Sequence, residues 1–159
     1  AQLLADPGAA PEESLYRTSA ARPAPGRTVL FADDSAIART QIVRTLDALE
    51  VTHIATKNGV QAWQELSRIA EAARAEGREA RDAVHLVLTD VEMPEMDGYM
   101  LAKRIKADPR FKGVPVIMHS SLSGTSNQQL GHSVGIDEYV SKFEPGKLAL
   151  AISRRLAAA

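Results

Sequence analysis

The sequence predicts an α/β fold, a doubly wound five-stranded parallel sheet with helices on both faces. Three observations carry that expectation. Short apolar, β-rich runs recur five times along the chain. A stretch of helical periodicity follows each of them. Several of the runs end in acid, hydroxyl or ammonium residues, as strands do where a parallel sheet meets solvent at its carboxyl edge. Parallel strands need helical crossovers of one hand, so strict β-α alternation packs most simply as one open sheet.

The elements can be justified in order. Residues 1–27 hold Pro7, Pro11, Pro23 and Pro25 among Ala, Gly and Ser. Such a stretch buries too little apolar surface to offset its ordering entropy, so it reads as a dispensable linker or tail, with the folded domain at 28–159. TVLFAD from Thr28 is the first strand. Ser35 offers a helix N-cap, and Ile42, Leu46 and Leu49 line one face of the helix it opens. VTHIAT is the second strand. NGVQAWQEL opens a second helix with Ala62, Leu66, Ile69 and Ala73 in register. The Ala/Glu/Arg stretch Ser67–Ala83 reads as its solvated extension, without an apolar stripe of its own, broken near Gly77. VHLVLTD is the third strand, and GYMLAKRIK the third helix, closed by Asp108-Pro109. VPVIMHSS is the fourth strand, followed by a short helix over 127–134 that Gly135 stops. DEYVSK is the fifth strand. Lys147–Leu156 is the last helix, with Leu148, Ile152 and Leu156 on one side.

Composition excludes several function classes. The 159 residues suffice for one domain with a real core. Nineteen basic against twenty acidic residues leave a formal charge of −1, which lacks the basic stripe of a nucleic-acid binder. There is no cysteine, so disulfides, thiolate chemistry and Cys-ligated zinc are out, and a reducing cytoplasm fits. No apolar run approaches the ~18 residues of a membrane span. The opening AQLLADPGAAPEES has no basic n-region and does not read as a signal peptide. It does not begin with Met, which leaves room for an upstream segment.

The candidate chemistry sits at the predicted strand ends. The first strand ends in Asp33-Asp34 and the third in Asp90. If those strands are neighbours, three carboxylates converge, and they repel unless a cation neutralises them. Hard oxygen ligands of this kind suit Mg²⁺. The plainer alternative is that each Asp only caps the following helix. The fourth strand ends in Ser120-Ser121 and the fifth runs into Lys142. A hydroxyl and an ammonium at one rim form an anion-binding pair, suited to holding phosphoryl oxygens on a modified carboxylate. His53, His85, His119 and His132 lack metal-site spacing; His85 reads as a strand residue and His119 as structural. Trp63 reads as packing first and interface second.

ADDS, TDVEMPEMDGY, PVIMHSS and YVSKF resemble the marker segments of the response-regulator receiver domain of two-component signalling, over about residues 28–156. The resemblance implies the (βα)5 flavodoxin-like receiver fold and a phospho-acceptor role for Asp90. It implies Mg²⁺ held by Asp33, Asp34, Asp90 and the backbone carbonyl of Glu92, with Lys142 beside the acceptor. Ser120 matches the switch hydroxyl and Tyr139 the switch aromatic. The phosphodonor would be a CheA-like histidine kinase. HSSLSG with Asn127, and KF with Pro145, resemble the receiver half of CheV-type chemotaxis proteins, in which a coupling domain that binds chemoreceptors and kinase comes first. A stand-alone CheY-like regulator or phosphate sink is the alternative, and an aspartyl-nucleophile phosphohydrolase a more distant one. Neither nucleic acid nor membrane insertion is implied. Where the family has Pro after the lysine, Phe143 follows Lys142; a cis bond there costs ~3–4 kcal/mol, so trans is expected.

Overall fold

A computed structural model describes residues 21–121, 125–142 and 144–157. Strands β1 (Thr28–Ala32), β2 (Thr52–Thr56), β3 (Leu86–Thr89), β4 (Val116–Ser120) and β5 (Glu138–Ser141) alternate with helices α1 (Ala36–Ala48), α2 (Gly59–Ala75), α3 (Gly98–Ala107), α4 (Thr125–Ser133) and α5 (Pro145–Ala157). The strands form one parallel sheet in the order β2-β1-β3-β4-β5. The expected fold class is therefore the observed one.

Strand periodicity of two sends alternate side chains to opposite layers. Val29 and Phe31 of β1, Leu86 and Leu88 of β3 and Ile117 of β4 face α1 and α5, where Ile42, Leu46, Leu148 and Ile152 complete one core. Leu30, Val87, Val116 and Met118 face the other way, onto Leu66 of α2 and Leu101 and Ile105 of α3. Burial on both faces explains why the strands read as continuous apolar runs. The helix starts are capped by side chains: Ser35 Oγ accepts from the Ala38 N–H at 3.2 Å, Asn58 from Gln61 at 2.8 Å and Asp97 from Met100 at 2.8 Å. Gly77 and Gly135 take the left-handed conformation just past α2 and α4, φ 70° and 93°, where a side chain would be strained.

Two sequence expectations change. The stretch Ser67–Ala83 does have a buried stripe: Ala70, Ala73 and Ala80 are all within the core. Ala80 belongs to a 3-10 turn, Ala80–Asp82, that folds back under α2. Alanine carries so little hydrophobic signal that its close-packing role is invisible to a pattern of large residues. Beside it, Trp63 meets Phe111 edge-on at 5.6 Å, under the Arg104 guanidinium at 5.3 Å, so Trp63 is a packing residue. His85 lies one residue before β3 and accepts the Thr28 N–H on Nδ1 at 2.9 Å, joining the starts of β1 and β3.

The second change is at the tail boundary. Residues 1–20 lie outside the described residues, but 21–27 lie on the domain. Ala21 is buried. The Arg22 N–H donates to Ser153 Oγ of α5 at 2.8 Å, and the Ala24 N–H to the carbonyl of Leu49 at 2.8 Å. Proline-rich composition hid this, because backbone donors rather than apolar side chains make the contact. With the Arg27 carbonyl accepting from the Thr52 N–H at 2.9 Å, a chain starting at Thr28 should therefore be less stable than one starting at Ala21 by about 2–5 kcal/mol, the worth of three hydrogen bonds and a buried methyl. Parallel urea melts of the two chains check this; coincident curves would return these residues to the tail.

Candidate functional site

The order β2-β1-β3 makes β1 and β3 neighbours, with Ala32 opposite Thr89. The chain then delivers Asp33 and Asp34 from one strand and Asp90 from the next to the same rim. One carboxylate oxygen from each lies within 4.8 Å of the others. Asp33 and Asp90 are buried, at 0% and 7% exposure, whereas Asp34 is open to solvent. Asp33 Oδ1 accepts the Ser35 N–H at 3.0 Å, and Arg39 of α1 reaches back to the Asp33 carbonyl at 2.8 Å. Asp90 Oδ1 accepts the N–H of Val91 at 2.8 Å.

Lys142, just past β5, supplies the opposing charge. Its ammonium is 2.7 Å from Asp33 Oδ2 and 3.4 Å from Asp90 Oδ2. Burial pulls the Lys142 pKa down, but the two carboxylates outweigh it and the ammonium is held more firmly charged than usual. Asp90 is pushed up to about 6, first by burial and then by the Asp33 charge, with Lys142 and the Val91 N–H only partly offsetting them. Two buried negative groups and one positive group thus leave Asp90 short of cation. Asp33 Oδ2 has no well-directed hydrogen bond among the described residues. A hard divalent ion such as Mg²⁺ fits this donor set, all oxygen and with one face open to water.

The loop after β3 walls the site. Asp34, Val91, Glu92, Met93, Asp97 and Tyr99 line an open cavity of ≈ 440 Å³. Met93 and Met96 are buried and anchor the loop from beneath. Glu95 turns it in the left-handed conformation, φ 68°. Gly98 is pressed against Asp90: a Cβ there would meet the Asp90 carbonyl oxygen at 2.0 Å. Its N–H bonds the Val91 carbonyl at 2.8 Å. Only glycine lets the start of α3 sit this close to the acidic rim.

Ser120 ends β4 at 1% exposure, and its carbonyl accepts the Lys142 N–H at 2.9 Å. Tyr139 is half-buried on β5 and lines a separate surface cavity of ≈ 340 Å³ with Gln128, Glu144 and Lys147. The acidic residues and Lys142 are thus together at the rim, Glu92 lies in its wall, and Tyr139 stands on the neighbouring face. Phe143 and its bond to Lys142 lie outside the described residues. Arg39 and Tyr99 are contacts the sequence did not single out. Nothing in a lone Arg on a helix reveals that it returns to a strand-end carbonyl.

A match to the response regulator receiver domain covers residues 29–153. The chain belongs to that family. It is 31% identical to chemotaxis protein CheV1 of Helicobacter pylori over 80% of this chain and 37% of the relative. It is 33% identical to chemotaxis protein CheY1 of Helicobacter pylori over 74% and 86% of the two chains. The solved receiver domain of the histidine kinase CKI1 from Arabidopsis thaliana, complexed with Mg²⁺ and BeF3−, superposes with a TM-score of 0.73 at 24% identity over 86% of this chain and 93% of that one, a likeness of fold. The chain spans well under half the length of the CheV relatives. No helix among the described residues is long and apolar enough to cross a membrane.

His119 sits in β4, 7% exposed, with Nδ1 unpartnered among the described residues. Burial, then the Lys142 charge, lowers its pKa to about 3. The folded protein therefore refuses a proton that the unfolded chain accepts at ~6.5. The corresponding stability is whole above that value and is lost as pH falls from ~6.5 toward about 3. Between pH 7.5 and 5 the wild type should lose about 2 kcal/mol relative to His119→Val. Denaturant titrations of both proteins across that range check it, and parallel curves would contradict the burial argument.

Proposed function

We propose that this receiver domain is a stoichiometric phospho-acceptor in chemotaxis signalling, with Asp90 as the acceptor and a CheA-like histidine kinase as donor. The observation that carries the reading is the pairing of a buried Asp90 carboxylate with Asp33, Asp34 and Lys142 at one rim. Asp33, Asp34, Asp90 and the Glu92 carbonyl would hold Mg²⁺. Bound there, the ion supplies positive charge that offsets the carboxylates and the phosphoryl oxygens.

In the proposed transfer an Asp90 carboxylate oxygen forms a bond to phosphorus as the phosphorus–nitrogen bond of a phosphohistidine breaks. The imidazole leaves and takes up a proton. Lys142, already 3.4 Å from Asp90, pairs with the phosphoryl group that Asp90 then carries. Ser120, at the end of the neighbouring strand, is the proposed second phosphoryl donor. Drawing its loop inward would open space that Tyr139 fills, changing the β5 face between two states. Similarity to relatives named as chemotaxis proteins supports the chemotaxis setting; an upstream coupling domain and a cytoplasmic complex of receptors and kinase belong to the same proposal. A stand-alone regulator or phosphate sink would use the same chemistry.

Incubation with Mg²⁺ and acetyl phosphate should label the wild type at one phosphoryl per chain, and Asp90→Asn should take up none. Asp33→Ala and Asp34→Ala should weaken Mg²⁺ binding at least about tenfold, because each removes one of few charged oxygen ligands. Mass spectrometry and Mg²⁺ titration read the two effects. A labelled Asp90→Asn protein, or identical Mg²⁺ titrations, would overturn the assignment. Continuous release of phosphate, rather than stoichiometric labelling, would point to a phosphohydrolase.

A further inference from the structure

Tyr99 is the second residue of α3, directly after the glycine that touches Asp90. Its ring forms part of the cavity wall beside Asp34, Glu92 and Asp97. Its hydroxyl does not point to the acidic cluster. It donates to the backbone carbonyl of Asn127 in α4 at 3.2 Å. One side chain thus spans from the acceptor's own loop to the helix that follows the Ser120 loop.

The two ends of the bridge are held to different degrees. At the near end, the start of α3 packs tightly on Asp90, since Gly98 leaves no room for a Cβ against the Asp90 carbonyl. At the far end, α4 is lightly held. It is nine residues long and mostly polar, its sequence TSNQQLGHS. Its Leu130 is 49% exposed, and a Cβ added at Gly131 would meet Ile136 at 2.6 Å, so α4 packs there without a side chain. Helix propensity cannot hold so short a segment, so individual tertiary contacts set its position. Burial first, then the nearby Tyr139, raises the Tyr99 pKa, so the hydroxyl stays protonated and able to donate.

We propose that Tyr99 is a positioning residue that couples the Asp90 loop to α4, its hydroxyl holding α4 in the resting arrangement through the Asn127 carbonyl. This rests on the phospho-acceptor reading of Asp90 for its functional meaning, while the bond itself stands apart from it. A hydrogen bond of this kind shifts a local equilibrium by about fivefold. A state in which α4 has moved gains that factor when the bond is absent.

The test is Tyr99→Phe, which removes only the hydroxyl, with Tyr99→Leu as a second variant lacking it. Amide exchange and amide NMR spectra of the full chain are recorded with and without Mg²⁺ and BeF3−. In ligand-free Tyr99→Phe, the α4 amides should exchange about fivefold faster, with the β1 and β3 amides unchanged. The α4 signals should also lie part-way along the line joining the free and BeF3−-bound positions of the wild type. A purely structural role would leave them off that line. Unchanged α4 exchange, or equal acceleration throughout the core, overturns the proposal. If wild-type spectra do not respond to BeF3− at all, the phospho-acceptor reading fails and the coupling fails with it. If they respond at Asp90 but α4 does not move in either protein, the coupling alone is overturned.

Discussion

The contact of Lys142 with Asp33 and Asp90 is the balance on which the rim depends. Without it, buried carboxylates would face each other in a medium that screens them poorly. The ammonium reaches them from β5, two strand positions away from β3, a gap of about 10 Å between strand axes. The long lysine stem crosses that gap over the end of β4. The residue at that end, Ser120, is small and buried, and its carbonyl accepts the Lys142 N–H at 2.9 Å. The sheet order therefore brings acids, hydroxyl and ammonium together from four separate stretches of sequence.

Tight backbone approach complements this electrostatic arrangement. Gly98 lies on the Asp90 carbonyl, and a Cβ on Gly59 at the start of α2 would meet the Met96 carbonyl oxygen at 2.3 Å. The loop from Val91 to Asp97 is thereby held between two helix starts, with Met93 and Met96 packed below it. Its turn costs strain at Glu95, a non-glycine residue in left-handed conformation. Such strain persists only where surrounding contacts determine the backbone. The result is a wall beside Asp90 that is firm at its base and open toward solvent at Asp34.

Strand positions, helix faces and the acidic residues at the strand ends were legible because each has a repeating or categorical signal. Apolar runs ending in Asp33, Asp90 and Ser120 mark both the strands and their carboxyl ends. The N-cap Ser35 marks a helix start through a side-chain type that has few other local uses there. What escaped lacks such a signal. The docking of Arg22 and Ala24 depends on backbone N–H groups, which every non-proline residue carries. The burial of Ala70 and Ala80 depends on small size, which a periodicity of large residues does not register. The Arg39 and Tyr99 contacts join residues whose proximity follows from tertiary packing alone.

The docked segment and the acidic rim occupy opposite ends of the sheet. Ala24 bonds Leu49 just past the end of α1, and the Arg27 carbonyl accepts from Thr52 at the start of β2. Asp33, Asp90 and Lys142 lie where the strands finish. Two helices run between those ends on the same face. α1 begins beside Asp33, through Ser35 and Arg39, and ends at Leu49. α5 begins three residues after Lys142 and carries Ser153, which holds Arg22. Their shared core with Phe31, Ile42, Leu46 and Ile152 is fully buried, and close-packed interiors transmit displacement rather than absorb it. Lys142 and Arg22 thus stand near opposite ends of α5 on one face of the sheet, while Tyr99 bonds α4 on the other.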